Sequence, residues 1–283
     1  MKISTECISC VIGSAVEIME KQLPPEQYES LCQQMLKIAS SQSWQETPTD
    51  FARKLYGFLR DAAGVDDPFK AAKEQSTELA LKLLDEMRSV IARTDDPFAN
   101  TVKVVIGGNI IDCGINRTMD MKKAILQMQE VFDMPLDIKL IRQFEERFYA
   151  AGNIFYMLDN CGEAVFDRLL LELFPGSITL GVRGKFVLND ITRAELAASG
   201  LDNYPVFDTD DDTPGVSLER SNAELLEAMR KSDLLIAKGQ GNYETLDVYD
   251  RPIAHLLRIK CPVVSRALAL PQGALALSMR NFR

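Results

Sequence analysis

The chain has 283 residues, 46% hydrophobic and 26% charged, which is enough apolar material for one large core or two smaller ones and carries no mark of disorder. Forty-one acidic against 32 basic residues give a net charge of −9, and no Lys/Arg cluster occurs, so nucleic acid and anionic membranes are excluded as natural partners. Met1-Lys2-Ile3 runs straight into polar Ser4-Thr5-Glu6, no apolar run nears the roughly 20 residues that span a bilayer, and the six scattered cysteines read as reduced thiols, so the expectation is a cytoplasmic protein.

The first 150 residues read as a mainly helical domain. Cys7, Cys10, Val11, Ala15, Ile18 and Met19 recur at spacings of three and four, and Pro24-Pro25 break that stripe. A second stripe runs from Tyr28 to Ala39. Thr47-Pro48 opens a third helix that Gly64 closes, and Asp67-Pro68 and Asp96-Pro97 repeat the start signal. Gly107-Gly108 interrupt the pattern, allowing either close backbone approach or positive φ. Helical spacing resumes over Met121–Phe132 and Ile138–Phe148.

From 151 to 283 strands alternate with helices, the pattern of a Rossmann-like α/β/α domain with a mostly parallel sheet. Ile154–Leu158, Ile178–Val182, Val206-Phe207 and Leu234–Ala237 read as strands, with Ala254–Ile259 and Pro262–Ser265 as late strand-like segments. Helices are expected over Ala164–Phe174, Arg193–Ala198 and Asn222–Arg230. The acidic run Asp208–Asp212 reads as a solvated loop.

Three turns in this half should open on one edge of the sheet. Asp159-Asn160 end the first strand, Asn189-Asp190 follow the second, and Lys238-Gly239-Gln240-Gly241 end a later one. In a parallel sheet, carboxyl ends of strands are where ligands bind. Asp159, Asn160 and Asp190 form a hard-oxygen set suited to Mg²⁺ or Mn²⁺. The competing reading is that Asp159 merely caps the following helix. Lys238 with the amides around Gly239 and Gly241 would hold an anion, or the stretch is only a flexible connection. Asp233 starts its strand and so belongs to the opposite edge. Cys7 and Cys10 form a CxxC pair on an apolar stripe; they pack in a core or, with Cys261 or Cys32, make a second metal or redox site. One histidine, His255, makes a Ser–His–Asp machine or a His-rich zinc site improbable.

The segments GGNIIDCG (107–114), LDNCGEAVFD (158–167), VLNDIT (187–192) and AKGQGNYETL (237–246), in that order, resemble the metal-dependent damage-control phosphatases, a family long catalogued as domain of unknown function eighty-nine. The N-terminal CxxC resembles its small prokaryotic branch. The resemblance implies Asp159, Asn160 and Asp190 as metal ligands, Lys238 as the phosphate contact, and Asn109 and Asp112 on the substrate side. It also implies Mn²⁺, Mg²⁺, Co²⁺ or Ni²⁺ as cofactor and a small phosphorylated metabolite, such as a sugar phosphate, as substrate. Hydrolysis would use metal-activated water, with Asp159 or Glu163 as base, or else direct attack by Asp159. Two alternatives belong to other classes: a carboxyl methyltransferase with a methyl-sulfonium donor, or a non-catalytic metal- or nucleotide-binding protein. The glycine-rich first turn usual for such a donor is missing after Leu158.

Overall fold

A computed structural model describes residues 1–112 and 121–282. Among them a six-stranded sheet comprises β1 (Asn153–Met157), β2 (Ser177–Val182), β3 (Val206–Asp208), β4 (Leu234–Lys238), β5 (Ile253–Arg258) and β6 (Leu275–Arg280). The strand order is β3-β2-β1-β4-β5-β6, parallel except for β6, which runs antiparallel to β5. The central strands are buried on both faces, so β1 and β4 are near-continuous apolar runs rather than alternating ones. Even so, the two faces divide by the period of two. Ile154, Tyr156, Leu234 and Ile236 join the large core beneath the helices Lys70–Ile91, Pro97–Gly107, Ile138–Ala150 and Cys161–Leu171. Phe155, Met157, Leu235 and Ala237 turn to the other face, where the helix Ala223–Lys231 supplies Leu225 and Met229. The result is three layers.

A separate cluster holds the first helices together, with Ala15, Met35, Phe51 and Leu55 at its centre. Local rules set their limits. Thr47 accepts from Asp50 N while Asp50 accepts from Thr47 N, a capping box with Pro48 in the first turn, and Gly64 ends that helix at φ 64°. Within Thr5–Gln22 the buried positions are Cys7, Val11, Ala15 and Met19, and Cys10 lies outside that stripe, exposed. No helix among the described residues is long and apolar enough to cross a membrane.

Two expectations are corrected. Pro262–Ser265 is not a strand but the start of the helix Pro262–Leu268, entered through Pro262 and capped by the Cys261 thiol, which accepts from Val264 N at 3.5 Å. The last strand is instead Leu275–Arg280, an Ala/Leu-rich segment whose pairing with β5 overrides its local preference. The run Asp208–Asp212 is not a solvated loop. Asp212 takes ion pairs from Arg53 (3.4 Å) and Arg60 (3.1 Å), Asp211 is buried against Thr213 and Arg220, and Asp208 pairs with Arg193. The acidic stretch therefore ties the first helices to the sheet.

Candidate active site

The chain leaves β1 toward β2 on one side, while β4 and β5 lie on the other, so a crevice opens between the carboxyl ends of β1 and β4. Asp159 and Asn160 follow β1, Arg183 follows β2, and Lys238 closes β4. Asp190 is carried in by the turn beyond β2. There Ile191 N donates to Asp159 O at 2.8 Å and Cys161 N donates to Asn189 O at 3.0 Å, forming an isolated antiparallel bridge between Asn160 and Asp190. That bridge brings Asp159, Asn160 and Asp190 together. Asn160 stands at the N-cap position of Cys161–Leu171, yet its side chain makes no capping bond. Its Nδ2 donates instead to Asp159 Oδ2 (3.1 Å) and Glu163 Oε2 (3.3 Å).

Two cations lie buried among these carboxylates. Arg183, 1% exposed, donates from Nε to Asp190 Oδ2 at 2.6 Å, from Nη2 to Asp159 Oδ1 at 3.3 Å, and from Nη1 to Asn242 Oδ1 at 3.2 Å. Asn242 is itself fixed by donating to Lys238 O and Leu158 O. Lys238, 0% exposed, donates to Glu163 Oε1 at 2.5 Å, Asp167 Oδ1 at 2.6 Å and Val105 O at 2.9 Å. All three ammonium protons thus meet protein acceptors, so Lys238 faces the helix Cys161–Leu171 and not only the open crevice. Burial works against its charge, but the Asp167 and Glu163 carboxylates outweigh burial and hold its pKa above the ordinary lysine value. Burial raises Asp167 to about 6, opposed by Lys238. Asp159 is pushed up to about 8, by burial first and then by the charges of Asp190 and Glu163, against Arg183 and Lys260.

Gly239 and Gly241 are set by packing. Gly239 takes φ +78°, and a Cβ there would fall 1.9 Å from Asp159 Oδ2; one on Gly241 would fall 2.3 Å from the Pro214 carbonyl. The expected flexible connection is in fact the short helix Gly239–Thr245, entered directly from β4. Gly107 and Gly108 take the close-approach alternative: added Cβ atoms would strike Val131 at 2.6 Å and Phe166 at 2.9 Å. This approach lets Asn109, 2% exposed, donate from Nδ2 to Glu163 Oε2 at 2.8 Å. Cys113 and the side chain of Asp112 lie outside the described residues. Asp233 sits on the opposite edge, as expected, accepting from Gly152 N and Asn153 N. His255 is fully buried in β5, edge-on to Tyr243, and burial lowers its pKa to about 3.

Sequence reading passed over Arg183, Asp167 and Asn242. Asp167 falls four residues after Glu163, on the same helix face, and that spacing was a signal. Arg183 directly follows a buried strand at the very edge in question, a second one. Asn242 carried no signal beyond its motif.

The donor chemistry of the crevice fits a divalent cation. Four buried carboxyl groups (Asp159, Glu163, Asp167 and Asp190) face two buried cations, so two of them lack a basic partner in a low-dielectric site, a crowding that a divalent cation would relieve. Asp167 Oδ2 is buried without a hydrogen-bond partner among the described residues. No three His, Cys, Asp or Glu side chains among the described residues stand ready to hold an ion by themselves. The set that fits is two aspartates with an amide, Asp159, Asp190 and Asn160, and half a turn of the Asn160 amide presents oxygen in place of Nδ2. Cys7, Cys10 and Cys261 are free thiols that line one cavity elsewhere.

A doubly wound α/β sheet with buried carboxylates at its topological switch point defines a Rossmann-like protein with an oxygen-rich carboxyl edge. Within that class the chain belongs to the damage-control phosphatase ARMT1-like family, whose domain model matches residues 3–275. It is 30% identical to a damage-control phosphatase of Pyrococcus horikoshii over the full length of both chains. A second damage-control phosphatase, of Archaeoglobus fulgidus, is 28% identical, covering 96% of this chain and 97% of that one. A Methanocaldococcus jannaschii protein is 31% identical, covering 96% and 94%. The crystal structure of a DUF89 family protein from Pyrococcus horikoshii superposes with a TM-score of 0.89, at 29% identity and full coverage of both chains.

Proposed function

We propose that this protein is a metal-dependent phosphatase acting on small phosphate esters at the carboxyl edge of its sheet. The observation that carries the reading is the crevice between β1 and β4, where four buried carboxyl groups face only two buried cations. The names of two full-length relatives support the phosphatase class.

Asp159, Asp190 and Asn160 would hold the ion, and Mn²⁺, Mg²⁺, Co²⁺ or Ni²⁺ suits such oxygen donors. Once bound, a divalent ion supplies charge neutralisation and Lewis acidity toward a phosphoryl oxygen. Arg183 holds both aspartates from behind, fixing their carboxylates relative to each other. Glu163, beside Asn160 and hydrogen-bonded by Lys238, accepts the proton of the attacking water. Lys238 and Asn109 position Glu163 and Asp167 within that site. Water as nucleophile leaves no covalent phosphoenzyme.

The test is phosphate release by chelator-stripped protein across a panel of phosphomonoesters, with each of the four ions in turn. Release that depends on an added ion is the expected result. An ion that binds, with no phosphate released from any ester, would falsify the reading.

A further inference from the structure

The cavity lined by Cys7, Cys10 and Cys261 measures about 470 Å³, within the range of roughly 300–1,000 Å³ common for small-molecule sites. On one side stand the helix Thr5–Gln22 and the start of Pro48–Ala63, which share the core of the first helices. On the other stand the helix Gly239–Thr245 and residues 260–263, beyond β5. Arg266 fastens the two sides together, donating from both terminal guanidinium nitrogens to the Glu6 carboxylate, and Val263 packs against the cluster that holds Cys7 and Val11. None of the residues lining this cavity belongs to the carboxylate site of the crevice.

The three thiols differ. Cys7 lies on the buried stripe with Val11, Ala15 and Met19, its Sγ 3.3 Å from Ser4 Oγ. Cys10, nearly one turn later, is exposed and lines the cavity, so packing in a core does not account for it. Cys261 is half-buried on the facing wall. Its Sγ accepts from Gln240 Nε2 at 3.4 Å and from Val264 N at 3.5 Å, and these bonds fix the sulfur in place. Burial pushes the Cys10 thiol up, and Cys261 adds to this ahead of Cys7, although Cys7 is on the same helix. Among the described residues no three His, Cys, Asp or Glu side chains are placed to share an ion, so what the cavity presents is a thiol pair rather than a set of metal ligands.

We propose that this cavity is a thiol–disulfide exchange site for a low-molecular-weight disulfide, with Cys10 reacting first and Cys261 resolving the product. The Cys10 thiolate attacks one sulfur of the small disulfide, forming a mixed disulfide and releasing one small thiol. The Cys261 thiolate then attacks Cys10 Sγ, closing a Cys10–Cys261 bond and releasing the second small thiol. Both protein sulfurs are oxidised, both sulfurs of the reagent are reduced, and the two thiol protons leave with the released thiols. A Cys7–Cys10 bond would instead draw Cys7 off its buried stripe. The new bond ties the first helix covalently to the segment after β5, beside an exposed Arg266–Glu6 ion pair that salt would screen. The proposal stands independently of the phosphatase reading.

The test treats the reduced full-length chain with hydroxyethyl disulfide at about pH 8.5, where thiolate is available, and maps its peptides by mass without reduction. The expected product is a linked pair of peptides carrying Cys10 and Cys261, which dithiothreitol separates. Cys261→Ser should stop at the mixed disulfide on Cys10. Cys10→Ser should slow the loss of the Cys261 thiol at least about tenfold, because Cys261 is the less exposed of the two. Cys7→Ser should leave the link intact. A Cys7–Cys10 link overturns the proposal, as does a mixed disulfide on Cys10 that persists in the unsubstituted chain with no linked peptide. Mapping of that unsubstituted chain decides the matter even if a variant fails to fold.

Discussion

Replacing Lys238 by methionine separates two roles for that ammonium. In the structure Nζ donates to Glu163, Asp167 and the Val105 carbonyl, and all three side chains are at most 1% exposed. Methionine keeps the apolar stem but strands two carboxylates in the interior. Removing one partner of a buried ion pair costs about 3–5 kcal/mol, a large share of the roughly 5–15 kcal/mol that keeps a domain folded. Urea unfolding with an unchanged slope should therefore show a midpoint shifted by that amount. Adding Asp167→Asn and Glu163→Gln to the same chain should recover part of it, because the stranded charges are then gone. If Lys238→Met instead cost less than about 1 kcal/mol and raised KM for phosphate esters, the ammonium would be facing substrate and its assignment to Glu163 and Asp167 would be wrong.

Asp159→Asn and Asp190→Asn should each lower metal-dependent turnover by more than roughly 100-fold while the protein stays folded, read by phosphate release beside circular dichroism. Near-normal turnover in either would remove that residue from the ligand set. Gly239→Ala forces a side chain into left-handed backbone and onto the Asp159 carboxylate, so calorimetric titration should show weaker metal binding and urea unfolding a loss of about 1–2 kcal/mol or more. Burial pushes Glu244 up to about 7 from an ordinary 4.5, only partly offset by the hydrogen bond from Gln240. The folded chain thus keeps a proton that the unfolded chain loses between those values, so the contribution of Glu244 to stability falls by up to about 3 kcal/mol as pH rises through that window and is flat on either side. Glu244→Gln should reduce the slope of urea midpoint against pH there, and an unchanged slope would contradict the burial argument.

Much of the site was legible because strand ends announce themselves. An apolar run that stops at Asp159-Asn160, and another that stops at Lys238-Gly239, must lie on one edge if the sheet is parallel, and they do. The helix starts at Pro48 and Pro97 were equally plain, since capping residues and proline act within one turn. What escaped depended on contacts far apart in sequence. Arg183 reads as an ordinary charged residue until the fold encloses it between Asp159 and Asp190. The acidic run Asp208–Asp212 looks solvated until Arg53 and Arg60, some 150 residues earlier, are brought against it.

The order of elements as far as β5, the mostly parallel sheet and the choice of edge were thus legible in the sequence alone, because periodicity, caps and the end of an apolar run are local, whereas the last helix and β6 were not. Only the tertiary structure decided which cation serves which carboxylate. Lys238 looked from its strand end like a free phosphate contact, and packing of the helix Cys161–Leu171 against β4 commits it to Glu163 and Asp167. The same packing explains Gly239, whose missing side chain leaves room for Asp159. Charge pairing in a buried site depends on distances of a few ångströms between segments remote in the chain, and those distances exist only once the layers have closed.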